Sequence, residues 1–429
     1  MIAGVVALLI FGATLYVIFT EKMNRTIAAV AGAALMLVSG LLLGFYTEEQ
    51  AIDTVDIETI GLLLGMMILV ALLEPTGFFQ YLAVQAARIS KGKPVRLLVL
   101  LGSVTTVLSM FLDNVTTVVL IAPVTILISE ILGMNPAPFL IAEALLSNTG
   151  GIATLIGDPP NILIASAAGL SFNDFLVNAL PIVAVAWLAA LFLLRHLFRR
   201  ELAVSPENAD AVLHLNPAEA LDDWPNARRV LIVLGIAILL FFFERTLGIS
   251  PAFIAVTAAS AALAWVRPDI RKILEKIEWS VLAFFVALFV LVGGLEHAGV
   301  LGQLAGLVAS VSSANPVVLG VGLLWLVAGL SAVVDNIPIT IALIPVIQGL
   351  EGSGINVGPL WWALAFGAGL GGNGTIIGST ANVVVASLSE RTRSPITSAL
   401  WSKRGLPVML ATLIVTTILY ILAFPFLSK

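Results

Sequence analysis

The sequence predicts an all-α integral membrane protein, with ten transmembrane passes and two re-entrant hairpins arranged as two inverted repeats. Three observations predict it: an apolar composition, basic residues that fall on one side, and halves that align with each other. Of 429 residues, 59% are hydrophobic and 11% are charged, against about 25% charged in an ordinary soluble domain. A chain of this size cannot hide that much apolar surface in water. The same composition excludes a disordered chain, and a net charge of −5 with no basic tail excludes a nucleic-acid partner. No Cys is present, so disulfides, thiolate metal sites and Cys nucleophiles are excluded. His196, His214 and His297 are too scattered for a metal cluster. No cofactor and no enzymatic role are expected.

The elements follow in order. A helical span needs about 20 mostly apolar residues. The first runs over 2–20; without a basic leader or a small-residue cleavage site it reads as a retained span. Spans at 26–45 and 57–74 follow. Residues 97–132 are too long for one pass and are interrupted by Asp113-Asn114, which predicts a hairpin that enters and leaves on one side. Residues 137–169 form one span broken by a Gly-rich polar stretch, and 176–195 closes the first half. Residues 196–228, with Pro206, Pro217 and Pro225 and no long apolar run, read as a linker. The second half repeats the plan: spans at 229–247, 251–266 and 279–296, a hairpin at 316–350 broken by Asp335-Asn336, a broken span at 359–389, and a last span at 405–427. The predicted units are a first repeat 1–195 (scaffold 1–94, hairpin and broken helix 95–195) and a second repeat 229–429 (scaffold 229–315, hairpin and broken helix 316–429).

Charge tests this count. With both termini outside, every Lys and Arg except Arg245 and Lys429 falls inside, from Lys22 and Arg25 to Lys403 and Arg404. The outer loop 46–56 carries Glu48, Glu49 and Asp53 instead. That is the positive-inside pattern, and a wrong pass count would scramble it. It places the chain in the cell membrane with 196–228 inside.

The halves match at a nearly constant offset. LVALLEPTGFFQYLA (69–83) aligns with LVGGLEHAGVLGQLA (291–305), and the same shift of 222 puts Asp113-Asn114 on Asp335-Asn336, Ser109 on Ser331 and Pro123 on Pro345. A shift of 221 puts Gly150-Gly151 on Gly371-Gly372, Thr154 on Thr375, Gly157 on Gly378, Asp158 on Ser379 and Asn161 on Asn382. Five passes per half make the second repeat inverted, an architecture of secondary transporters.

Non-helical backbone at membrane depth is tolerated only where it lines protein or water. The four breaks therefore mark the site. Its expected solute- or ion-binding residues are Asp113, Asn114, Thr117, Ser147, Asn148, Thr149, Gly150, Thr154, Asp158 and Asn161 in the first repeat. Asp335, Asn336, Asn373, Thr375, Ser379 and Asn382 are those of the second. An ionisable group in the membrane is costly and points to function, although Asp113 and Asp335 also suit helix N-caps, and Asp158-Pro159-Pro160 reads as N-cap followed by Pro. Glu74, Glu143 and Glu296 are candidate proton-path residues. No Lys or Arg lies between Arg96 and Arg195 or between Lys276 and Arg391, the windows that hold all four breaks. A multivalent anion would want a cation there, so the windows suit an uncharged solute, H⁺ or Na⁺.

FLDNVTT (111–117), SNTGGIATLIGDPPN (147–161), VDNIP (334–338) and GGNGTIIG (371–378) resemble the arsenite permease (ArsB) / P-protein branch of the ion transporter superfamily. The resemblance covers nearly the whole chain. It implies an elevator-type carrier, commonly a homodimer, whose small inorganic solute or anion moves against H⁺ or Na⁺. Related dicarboxylate–sodium symporters carry Ser-Asn-Thr at the hairpin turns where this chain carries Asp-Asn. The expected function is proton-coupled efflux of arsenite or antimonite. The alternatives are Na⁺/H⁺ antiport and transport of another small anion. An intramembrane aspartyl protease would need two acids sharing a proton, whereas these acids sit on separate hairpins.

Overall fold

The computed structural model describes residues 2–20, 23–204, 206, 208–300, 315–351 and 355–427. Lys22, Lys429 and the 301–305 end of the repeat alignment lie outside them. The described residues are helical and contain no strand. Leaving out helices of seven residues or fewer, the first half has α1 (Ile2–Phe19), α2 (Arg25–Leu43), α3 (Ile57–Leu73), α4 (Phe78–Ser90), α5 (Pro94–Ser109), α6 (Asn114–Ile131), α7 (Ala137–Gly151), α8 (Pro159–Ala168) and α9 (Leu180–Leu197). In the second they are α10 (Trp224–Phe242), α11 (Pro251–Val266), α12 (Trp279–His297), α13 (Pro316–Ser331), α14 (Asn336–Glu351), α15 (Gly358–Gly371), α16 (Thr380–Ser389) and α17 (Ser398–Leu427).

Both hairpins and both broken spans fall where the sequence puts them. Among the described residues seven helical segments are long and apolar enough to cross a membrane; one of these is α6, the second arm of the first hairpin. Polar side chains set the starts: Asn24 caps α2, Asp56 caps α3 and Asp113 caps α6. Several boundaries differ from the sequence reading: the last helix begins at Ser398, not 405, and the span expected at 229–247 ends at Phe242. The helix after the linker begins at Trp224, not 229, because Asp223 accepts from the Asn226 amide and Pro225 suits a first turn. The linker is also docked, with the Asp222 amide donating to the Thr76 carbonyl at 3.0 Å.

The helices pack in two sets. One set contains α1, α2, α3, α10, α11 and α12, where α2 lies on α12 and α3 on α11. The other contains α4–α9 and α13–α17. Here α4, which the sequence reading placed with the scaffold, packs on α5 and α6. Lipid supplies no hydrophobic drive between helices, so close approach over small residues does the work. A Cβ on Gly65 would lie 2.6 Å from the Ala255 carbonyl carbon, and one on Gly367 2.7 Å from the Leu324 oxygen.

Contacts between the halves are reciprocal. As α2 packs on α12, so its repeat mate α11 packs on α3, the mate of α12. As α6 packs on α16, so α14 packs on α8. Exchange of equivalent partners is what a two-fold relation between repeats produces.

Candidate functional site

The breaks are built by glycine and held by side chains. A Cβ on Gly157 would sit 2.5 Å from the carbonyl oxygens of both Gly151 and Ser109; on Gly378 it would meet those of Gly372 at 2.7 Å and Ser331 at 2.9 Å. No larger residue fits either crossing. Freed backbone groups are then re-satisfied, as membrane depth demands. Asn161 Nδ2 donates to the Gly151 and Thr154 carbonyls at 3.1 and 2.8 Å. Asn382 Nδ2 does the same to Gly372 and Thr375 at 2.8 and 2.9 Å. Thr154 and Thr375 each donate to a hairpin carbonyl, of Met110 and Ala332, and accept from Gly157 N and Gly378 N at 3.2 Å.

Asn148 joins the repeats. Its amide donates to Asn373 Oδ1 at 3.0 Å and Asn382 Oδ1 at 2.9 Å. Its oxygen accepts from Asn114 Nδ2 at 3.0 Å and Ser379 Oγ at 3.1 Å. Asn373 donates in turn to Thr149 Oγ1 at 3.2 Å, and Ser147 Oγ to Ser109 Oγ at 3.1 Å. All are buried.

The four breaks, together with α3 and the start of α12, line a cavity of about 220 Å³. Of the residues expected from sequence, Asp113, Asn114, Asp158, Asp335, Asn336, Ser379 and Glu74 line it. Thr117, Ser147, Asn148, Thr149, Gly150, Thr154, Asn161, Asn373, Thr375 and Asn382 are not part of its lining. Glu143 is fully buried between α6 and α7, where Thr125 Oγ1 donates to its Oε1 and Oε2 has no partner. Glu296 lines a separate cavity with Asp53, His297 and Gln348. Neither acid is part of the central cavity lining.

The acids differ in company. Asp113 accepts from the Thr116 amide at 2.8 Å, a helix cap. Asp158, 2% exposed, accepts from Asn336 Nδ2 across the repeats at 2.9 Å. Asp335 accepts from the Ile337 amide at 3.2 Å and Thr380 Oγ1 at 2.6 Å, and pairs with Arg25 Nη1 at 3.1 Å.

Arg25 corrects the sequence reading of a site without cations. It reaches Asp335 from 310 positions away in the chain, and Lys276 pairs with Glu74 at 2.8 Å on the same cavity wall. Lys276 is the edge of the second window and Arg25 lies far before the first, and the fold turns both toward the hairpin tips. Glu278 and Thr380 were also missed. The signal for Arg25, Glu74 and Lys276 was their shared predicted side; the depth of the hairpin turns is not written in sequence. Burial, and then the charge of Asp113, push the Glu278 carboxyl above its ordinary value, with Arg25 opposing.

The family model described as Citrate transporter matches residues 15–367. The chain belongs to the citrate transporter family. The "46 kDa membrane protein" of Mycobacterium leprae is 40% identical over 418 residues, spanning 94% of this chain and 95% of that one. The human P protein is 32% identical over 96% of this chain and 58% of its own length, which bears out the P-protein resemblance. The crystal structure of the Alcanivorax borkumensis YdaH transporter shares the fold, with a TM-score of 0.63, 16% identity, and coverage of 90% of this chain and 89% of that one. This chain is a multi-pass membrane transporter.

Proposed function

We propose that the protein is an elevator-type secondary carrier that exports uncharged trivalent arsenic or antimony hydroxide against protons. The observation that carries this reading is the central cavity. Amides and hydroxyls of Asn114, Asn336, Ser379 and Thr380 face it beside three aspartates, and the cations at its mouth, Arg25 and Lys276, are each paired to a carboxylate. Oxygen and nitrogen groups suit As(OH)₃ in a chain without thiols. A paired guanidinium offers little to a trianion such as citrate. A carboxylate carrying a proton crosses the membrane more cheaply than a bare one, which couples H⁺ to the moving unit. The set holding α5–α8 and α13–α16 is the moving unit, the set holding α1–α3 and α10–α12 the scaffold of an inverted-repeat homodimer. By the positive-inside reading the cavity opens to the cytoplasm.

Proteoliposomes loaded with arsenite test this. A proton gradient should drive arsenite flux, and Asp335→Asn should abolish the pH dependence while the protein stays folded. Absence of flux under any gradient would end the arsenite reading. Five carboxylates against two cations in the cavity lining also favour a second reading, Na⁺/H⁺ antiport. Sodium-driven proton movement unaffected by arsenite would select it, and uptake of labelled citrate would displace both.

A further inference from the structure

The helix end that carries Arg25 is anchored within the scaffold set. Asn24 Oδ1 caps its helix, accepting from the Thr26 and Ile27 amides at 2.9 and 3.4 Å. Thr26 Oγ1 donates to the Ser280 carbonyl at 3.0 Å, tying α2 to the start of α12. The guanidinium lies 5.7 Å from the centre of the Phe284 ring, also on α12. Its anionic partner belongs to the other set. Asp335 sits at the turn before α14, and Thr380, on the first turn of α16, shares the same carboxylate oxygen. Elsewhere the two sets meet where α1 and α12 touch α14, where α3 and its cap Asp56 touch α8, and where Phe172 and Asp174, ahead of α9, pack on Phe241 and pair with Arg245 beyond α10. A charged pair thus spans the joint along which one set would move past the other.

The repeat makes the pair conspicuous. Asp113 is the mate of Asp335, and both acids cap the helix that follows them. Of these two mates, only Asp335 forms an ion pair among the described residues; the other arginine of this set that pairs across, Arg245, holds Asp174 ahead of α9. The remaining charges around it are Asp113 and Asp158 from the first repeat, Glu74 and Lys276, paired to each other, and Glu278 beside Arg25.

We propose that Arg25 is a tethered counter-ion that competes with the coupling cation for Asp335 and so holds the empty transport unit in place. While Asp335 is bare, Arg25 binds it and the joint is locked. A proton or Na⁺ on Asp335 removes the charge that Arg25 grips, and the joint is released. The cation then favours the released state because it binds where the pair is open, which is a population shift with a stated differential contact. The device converts a leak into exchange. This inference rests on the reading of the protein as a cation-coupled carrier with a moving unit.

Two measurements on the full chain in proteoliposomes test it. In flux assays with arsenite, H⁺ and Na⁺ varied separately, Arg25→Gln should lower the cation concentration for half-maximal flux at least about fivefold, the lower end of coupling between linked sites. It should also open a solute-free cation leak. Arg25→Lys should stay close to the parent, and the swap Arg25→Asp with Asp335→Arg should restore tight coupling. Spin labels on Cys introduced at Ile27 and Val333, in a chain with no native Cys, report the joint without any flux. At high pH the parent should show one distance and Arg25→Gln a second. A folded Arg25→Gln protein with parental cation dependence, no leak and an unchanged distance would overturn the proposal. A label shift without flux in any arm would keep the latch and overturn the carrier reading instead.

Discussion

At the residue scale, Asn148 and Glu278 carry opposite kinds of information. Asn148 spends both amide hydrogens and both lone pairs inside the protein, so its work is to hold the repeats together. Asn148→Asp keeps the acceptor for Asn114 and Ser379 but sets a carboxylate against two amide oxygens. A buried polar group stripped of partners costs about 1–3 kcal/mol, and two contacts fail at once. The melting temperature of the purified protein should fall by several degrees; an unchanged melt would mean the hub bears no strain. Glu278 titrates above its ordinary value, so the folded state binds its proton more tightly than the unfolded chain. Its destabilising effect is absent below the ordinary glutamate value of about 4.3 and complete above the raised one, and stability contributed by this group falls as pH rises through that window. Glu278→Gln should flatten this part of the melt-versus-pH curve and raise stability at neutral pH, with little change in acid.

At the element scale, glycine position decides which substitutions the breaks accept. Gly157 faces two backbone oxygens that cannot retreat, whereas Gly235, inside α10, has open space where a Cβ would go. Gly157→Ala should cost at least about 2 kcal/mol, in the range of overpacking a tight site, while Gly235→Ala should be neutral or stabilising by up to about 1 kcal/mol. Thermal melts of the two proteins in one detergent check the contrast, and equal effects would refute it. The breaks themselves were legible in the sequence because Gly-Gly, Asp-Pro-Pro and Asp-Asn interrupt apolar runs, and the repeat placed each twice. The division of labour within each break was not. Asn161 and Asp158 stand three residues apart in one motif, yet Asn161 turns to backbone carbonyls and Asp158 to the cavity. That difference follows from the local path of the chain around the break, which residue type alone does not specify. Arg25 was invisible for a related reason: a window scan assumes that a site's charges come from nearby sequence, and a fold of reciprocal repeats brings them from anywhere on the same face.

At the scale of the whole molecule, sidedness joins the charge pattern to the cavity. Arg25, Lys276, Glu74 and Glu278, which the positive-inside count assigns to one face, all line the cavity that holds Asp113, Asp158 and Asp335. Ser166, seven residues beyond Pro159 on α8, lines different cavities with Asp56. The half-helix α8 therefore separates two polar spaces, and Ile162 faces both the central cavity and the one beyond it. A carrier needs such a septum, because solute reaching the breaks from one side must not see the other. The absence of native Cys makes this testable with one added thiol. Thr116 is half-buried on the cavity wall and one turn from the acids. In Thr116→Cys, a membrane-impermeant maleimide should react in inside-out vesicles and not in right-side-out ones, and arsenite with a proton gradient should raise the outside rate as the unit turns over. Reaction from the outside alone would reverse the orientation inferred from the charges. Equal reaction from both sides without solute would mean that α8 does not seal the cavity, and the protein would conduct rather than carry.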